Sequence, residues 1–310
     1  MQKIGNMGED LVNFFRSRLQ HDGLVRTSYR SGKEALALSY AYPQSLYRGN
    51  KNKHLFENVR TYCMFIGYPF SGHSLVGSLL DAHPNAIIAH ELEVFRFIGK
   101  GFGREQIFSM LLENSQDARK RGRTQSGYPY DVPHQWQGRY KKLEVIGDKR
   151  GDGATRRLFF RPELYDELHN TVGVDIKMVH VIRNPYDNIT QMANVGRRNL
   201  SQVNEMDFRN AIERYFFKAK QNLALKEKYG EDIFDIKQED LIAKPHKKIS
   251  EMCKFFDLEE NDDYINDCAS IIYESPHKRR FKWEWTQELI EMVEYKMANI
   301  PFLSDYSYES

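Results

Sequence analysis

Residues 67–74 read GYPFSGHS, directly after the apolar run YCMFI at 62–66 and at the head of the amphipathic stretch SLVGSLLDAHP at 74–84. Four residues lie between Gly67 and Gly72, and His73 and Ser74 follow, so the string fits a phosphate-binding loop with His in place of the usual Lys. A strand that enters a helix through such a loop points successive backbone N–H groups at one spot, where the positive end of the helix also favours an anion. The spacing therefore predicts a phosphate or sulfate site. A turn that merely joins two elements is the plainer reading, and the apolar strand before it and the amphipathic helix after it speak against that. The absent Lys disfavours an ordinary kinase or ATPase, which uses it on the β- and γ-phosphates beside magnesium.

Working outward, short apolar runs alternate with helical patterns. The runs are YCMFI at 62–66, AIIA at 86–89, LEVIGD at 143–148, IKMVHVI at 176–182 and IFDI at 233–236. Helical periodicity covers 74–82, 104–112, 154–168, 185–195, 208–229 and 241–256. This order predicts an α/β fold, a three-layer sandwich around a central parallel sheet. Residues 61–310 form that domain, and residues 1–60, polar and of mixed charge with one helix candidate at 9–19, form an N-terminal helical elaboration. The stretch 113–140, rich in Gly, Gln, Arg and Tyr, breaks the alternation and predicts a long loop that is either a functional lid or disordered.

Composition narrows the function classes. The 310 residues carry 45 basic and 43 acidic side chains, a formal charge of +2, so no global field draws the chain to nucleic acid and any anion site is local. No apolar stretch is long enough to span a bilayer and no secretory core opens the chain. Cys63, Cys253 and Cys268 lack the pairing of a zinc or redox motif, which predicts buried thiols, no metal and a cytoplasmic setting.

The loop at 67–74 resembles the 5′-phosphosulfate loop of the sulfotransferases that use 3′-phosphoadenosine 5′-phosphosulfate (PAPS) and release adenosine 3′,5′-bisphosphate (PAP). VIRNPYDNI at 181–189 resembles that family's 3′-phosphate motif, a strand end carrying an Arg before Asn-Pro and a helix. FDIKQEDLIAKPHKKISEMCKFFDLEEND at 234–262 is similar to its late strand and helix, and the basic segment from Ser275 to its closing segment over the 3′-phosphate. The likeness spans about residues 62–308. It implies a donor site made of Gly67, Tyr68, Pro69, Phe70, Ser71, Gly72, His73, Ser74, Arg183, Thr190, Gln191, Lys278, Arg279 and Arg280.

Sulfuryl transfer needs a base for the acceptor proton and positive charge for the sulfonate and the leaving phosphate. Glu91, after the second strand, resembles the base of tyrosylprotein-type sulfotransferases, and His90 is the alternative. Lys149, at the end of the third strand, and His73 are candidate cations. A cation is needed because Phe70 stands where the family carries Lys or Arg. A second departure is Gln191 in place of the family's Ser. Phe70 keeps open a catalytically weakened binding or scaffold protein, and a degenerate phosphate loop keeps open a P-loop kinase, against which His73 speaks. The acceptor class implied is a small molecule, carbohydrate or lipid. Its pocket is expected from 92–140 and 196–206, with Tyr128, Tyr130, Trp136 and Tyr140 available for stacking. Arg119, Lys120, Arg121 and Arg123 form either a solvated loop face or a site for an acidic acceptor.

Overall fold

The apolar run at 62–66 forms β1 (Thr61–Ile66), buried at every position. It occupies the middle of a five-stranded sheet in a computed structural model that describes residues 24–125, 128–196 and 199–310. The chain divides into two units, residues 1–48 and 49–310. A helix, α1 (Leu24–Asn52), begins in the first and ends in the second. The helix candidate at 9–19 lies outside the described residues.

The other strands of this sheet are β2 (Ala86–Ala89), β5 (Val145–Asp148), β6 (Asp175–Ile182) and β7 (Ile233–Lys237), in the order β2-β5-β1-β6-β7. Every pairing is parallel. The short strands β3 (Thr124–Gln125) and β4 (Tyr128–Pro129) form a separate antiparallel pair. Because parallel strands need crossovers, helices cover both faces. On one face α2 (His73–Asp81) packs with Cys63, Phe65, Val179 and Val181 of the sheet and with residues of two later helices, among them Ile249, Met252 and Cys268. The opposite face of β1, carrying Tyr62 and Met64, meets Ala154 of α4 (Gly151–Phe160). A second core joins α6 (Pro185–Ala193), α7 (Glu205–Tyr229) and the C-terminal helix Gln287–Met297 through Tyr186, Phe208, Tyr215 and Leu289. This is the three-layer α/β arrangement the strand runs predict.

Helix bounds differ from expectation in three places. The pattern at 104–112 continues to Lys120 in α3 (Arg104–Lys120), since Ser115 and Ala118 stay on the buried side. The pattern at 154–168 divides into α4 and α5 (Leu164–Val172) at Pro162, and that at 241–256 divides into Gln238–Ala243 and Pro245–Phe255. In both cases proline removes the N–H a continuous helix would use.

Candidate active site

The site is built at the carboxyl ends of β1, β5 and β6. Gly67 (φ 137°) and Gly72 (φ 106°) adopt backbone angles that side chains rarely tolerate, and Phe70 (φ 66°) joins them in the left-handed region. These bends curl the loop into the N-terminus of α2, a concave backbone suited to an anion. Asn188 on α6 donates to the Pro69 carbonyl at 2.9 Å and so ties the loop to the neighbouring helix.

Strands β5 and β6 flank β1 on opposite sides, and each delivers a cation beside the loop. Adjacent strands lie about 4.8 Å apart, so the two strand ends are separated by about 10 Å. From β6, buried Arg183 donates to the Phe70 carbonyl at 3.3 Å and the His277 carbonyl at 2.5 Å. From β5, Lys149, 2% exposed, donates to Ser74 Oγ at 2.9 Å and to Glu91 Oε1 at 3.1 Å. Its stem lies against Gly77 of α2, where an added Cβ would stand 2.6 Å from Lys149 Cγ. That glycine, a weak position inside a helix, opens the slot through which the ammonium reaches the loop.

Glu91 is held from several directions. Its φ of 62°, like the 65° of Glu93, is strained, at about 1–3 kcal/mol each. Asp148 stabilises this turn by accepting from the Leu92 and Val94 N–H groups, each at 3.0 Å. Burial pushes Asp148 up to about 6 against those hydrogen bonds. The Glu91 carboxylate spans Lys149 and Arg150 Nη1, the latter at 2.5 Å. Partial burial raises its pKa, but the two cations outweigh it and hold Glu91 below the usual glutamate value. Burial lowers Lys149, with Glu91 opposing. Glu91 is therefore a carboxylate at neutral pH.

These residues line one cleft of about 400 Å³. Of the residues predicted from sequence, it brings together Pro69, Phe70, Gly72, His73, Ser74, Glu91, Lys149, Arg183, Gln191 and Arg279. Gly67, Tyr68, Ser71, His90, Thr190, Lys278 and Arg280 are outside its lining. The reasons are specific. The Thr190 hydroxyl donates to the Tyr186 carbonyl one turn back at 2.8 Å. Lys278 is exposed and leans over the Phe281 ring. Arg280, 1% exposed, grips Asp187 at 2.8 Å and the carbonyls of Tyr308 and Ser310, so it anchors the last residues of the chain.

His73 also departs from its expected role as a cation. Its ring lies beneath the loop, with Nε2 3.1 Å from the Ile66 carbonyl and the positions of Gly67 and Gly151 against it. Burial, with Lys149 nearby, lowers its pKa to about 4, so it is neutral at pH 7. Nε2 carries the proton, because a carbonyl only accepts. Tyr128 and Tyr130 line the cleft, joined by Tyr273 and His277 in an aromatic wall with ring separations of 5.0–5.7 Å among Tyr128, Tyr273 and His277. Trp136 packs instead against Arg139 and Lys141. Arg123 is buried and pairs with Asp81 and Ser115, so it belongs to the core and not to an acceptor face.

The expected site did not include Arg150, Gly77 or the Tyr273 and His277 pair. Arg150 adjoins Lys149 in GDKRGDG, and Gly77 interrupts the amphipathic helix at 73–81, which is a sequence signal for close approach.

A sequence profile described as the sulfotransferase family matches residues 64–263. The chain belongs to that family. No curated protein sequence matches it. Among solved structures it is similar to the sulfotransferase domain of the curacin biosynthetic pathway, at 12% identity and a TM-score of 0.49 over 79% of this chain and 99% of that one. It is similar also to a sulfotransferase from Mycobacterium avium, at 12% identity and 0.45 over 86% and 83%. Retinol dehydratase in complex with androsterone and the inactive cofactor PAP gives 14% identity and 0.42 over 84% and 86%. At this distance none of the three supplies residue-level correspondence. Among the described residues no helix is long and apolar enough to cross a membrane.

Proposed function

We propose that the protein transfers a sulfuryl group from PAPS to a hydroxyl or amine of a small-molecule, carbohydrate or lipid acceptor. The observation that carries this reading is the placement of Lys149, whose ammonium touches both Ser74 at the phosphate loop and Glu91 beside it. One cation thus joins an anion-binding loop to a carboxylate able to take a proton. The donor set also fits PAPS: Arg183 and Arg279 on one side of the loop and Lys149 on the other suit a molecule with two separated anionic groups. When bound, PAPS supplies the transferable sulfuryl group and departs as PAP.

On this reading the loop N–H groups and the positive end of α2 hold the 5′ anion, and Arg183 with Arg279 holds the 3′ phosphate. Glu91 accepts the acceptor's proton, ionised and waiting at neutral pH. Lys149 faces the charge that develops at the loop. Asp148 keeps Glu91 in place through the two backbone N–H groups it binds. The three free, buried cysteines accord with a reducing, cytoplasmic setting.

The decisive measurement is thermal stabilisation by PAP against ATP with magnesium. A ligand at a hundred times its Kd, bound only to the folded state, raises the melting temperature of a chain this size by about 4 °C. PAP is expected to do so and ATP with magnesium is not; the reverse result points to the kinase reading. Transfer of radiolabelled sulfate from PAPS to a panel of acceptors then tests turnover. One observation favours the weakened-catalyst alternative: Phe70, 42% exposed, brings no charge to the loop. Tight PAP binding without transfer to any acceptor would establish it.

A further inference from the structure

Behind the phosphate loop, away from the cleft, lies a group of buried polar side chains that none of the chemistry above uses. Thr155 on α4, His180 on β6 and Asn222 on α7 are each fully buried, as is Tyr68 in the loop itself. Burying four such groups is unfavourable unless they satisfy one another. They do so in two branches that converge on the loop's first two residues.

In the first branch the Gly67 N–H donates to Thr155 Oγ1 at 2.9 Å, and the Thr155 hydroxyl lies 2.9 Å from Asn222 Oδ1, to which it donates. In the second, His180 Nδ1 lies 3.0 Å from Asp235 Oδ1. A carboxylate only accepts, so Nδ1 carries the proton and Nε2 is the acceptor. The Tyr68 hydroxyl, 3.0 Å from Nε2, must therefore donate. Lys226 closes this branch by pairing with Asp235, and the Asn222 amide reaches His180 Nε2 at the long limit of 3.5 Å, linking the two. Tyr68 is further fixed by stacking on Tyr215, with ring centroids 4.5 Å apart.

Helical threonines commonly return their hydroxyl to their own helix, as Thr190 does to the Tyr186 carbonyl. Thr155 instead spends both roles of its hydroxyl on other elements. Gly67 cannot hold the loop start sterically, because its φ of 137° and the His73 ring 2.9 Å from its missing Cβ require glycine there. Gly67 itself therefore has no side chain with which to anchor the loop entrance, and its N–H must be held from outside. The geometry points to Thr155, Asn222, His180 and Tyr68 as positioning residues that fix where the phosphate loop begins and so set its affinity for the donor. The inference rests on the reading that this loop binds PAPS.

The test compares Thr155→Val, which keeps the shape and removes the hydroxyl, with Thr155→Ser, which keeps the hydroxyl. PAP affinity is measured by titration calorimetry on the full chain, together with the melting temperature without ligand and the KM for PAPS and for acceptor. The expected result is PAP binding about tenfold weaker in T155V, with a matching rise in KM for PAPS and little change in KM for acceptor. T155S is expected to bind within about twofold of the unaltered protein. Equal PAP affinity in T155V and the unaltered protein overturns the inference, as does an equal loss in both variants, which would indicate packing alone. If T155V does not fold, Tyr68→Phe, which removes only the other branch's hydroxyl, is judged by the same affinities. An unaltered protein that fails to bind PAP overturns the donor reading and this inference with it. Binding by the unaltered protein with no effect of either variant overturns the inference alone.

Discussion

The wall of the cleft built on β1 and β6 and the wall built on β2 and β5 each carry a buried cation, but they give it opposite kinds of partner. Arg183 rests on two neutral carbonyls, Phe70 and His277. Its nearest carboxylate, Asp187, stands 3.8 Å away and is already engaged by Arg280 at 2.8 Å. Lys149 rests on a carboxylate, Glu91. A cation on carbonyls keeps its charge available for an incoming anion, whereas a cation on a carboxylate is neutralised until that carboxylate changes state. The β6 wall is thus prepared to bind. On the proposed reading Lys149 loses its counter-charge only when Glu91, the carboxylate it shares with Arg150, takes up a proton, at the moment charge develops beside Ser74.

The largest expected effects would separate these two walls. Glu91→Gln keeps the shape and removes the basic oxygen pair, and turnover should fall by about 10²–10⁴-fold while PAP affinity stays within a few-fold. Arg183→Met should do the reverse, weakening PAP by about 10–100-fold. Calorimetric Kd for PAP and kcat for sulfate transfer on both variants decide the matter. If E91Q loses PAP affinity as severely as it loses turnover, the division of labour between the walls is wrong.

How much of this was legible in the sequence depended on whether the determining contacts were local. The strand AIIA at 86–89 has the bounds its composition suggests, and the loop at 67–74 sits where its glycine spacing puts it, because both are set by near neighbours. The family resemblance of the basic segment implies a donor ligand at Arg280. Its actual partner, Asp187, is 93 positions away, and no local pattern records that distance. Arg123, in a basic run, is expected on a solvated loop face or at a site for an acidic acceptor. It is core because Asp81 and Ser115, on two other helices, converge on it. His73 looked like a loop cation. Its inward turn depends on Gly67 and Gly151, from two separate segments, both leaving room for the ring.

That buried His73 yields a pH prediction of smaller size. Its pKa is about 4 in the folded protein and near 6.5 unfolded, so between those values the unfolded chain holds the extra proton. Its contribution is complete above about pH 6.5 and disappears as pH falls towards 4, a total of about 3 kcal/mol. Asp148, raised to about 6, acts in the opposite sense, since the folded state holds its proton through part of the same window. The difference between the unaltered protein and His73→Gln isolates the histidine. Gln keeps an N–H for the Ile66 carbonyl, so melting temperatures from pH 7 to 5 should decline less steeply in H73Q. Parallel curves would mean that His73 is not held neutral under the loop.

The smallest expected effect bears on the loop itself. Phe70→Lys restores a cation on the β1 wall, at a position whose strained φ of 66° is no easier or harder for Lys than for Phe. If Lys149 already meets the charge that develops beside Ser74, a second cation adds little, because the first has taken up most of the field it would act on. Transfer should then change by less than about threefold, and the gain should appear in KM for PAPS more than in kcat. A rise in kcat of about 10²-fold or more, the size of one well-placed charge-stabilising group, would show instead that Lys149 is held by Glu91 throughout the reaction. The unaltered protein would then be the weakened member of its family that Phe70 suggests. The comparison of kcat and KM in F70K therefore reads out whether the β5 wall ever releases its cation.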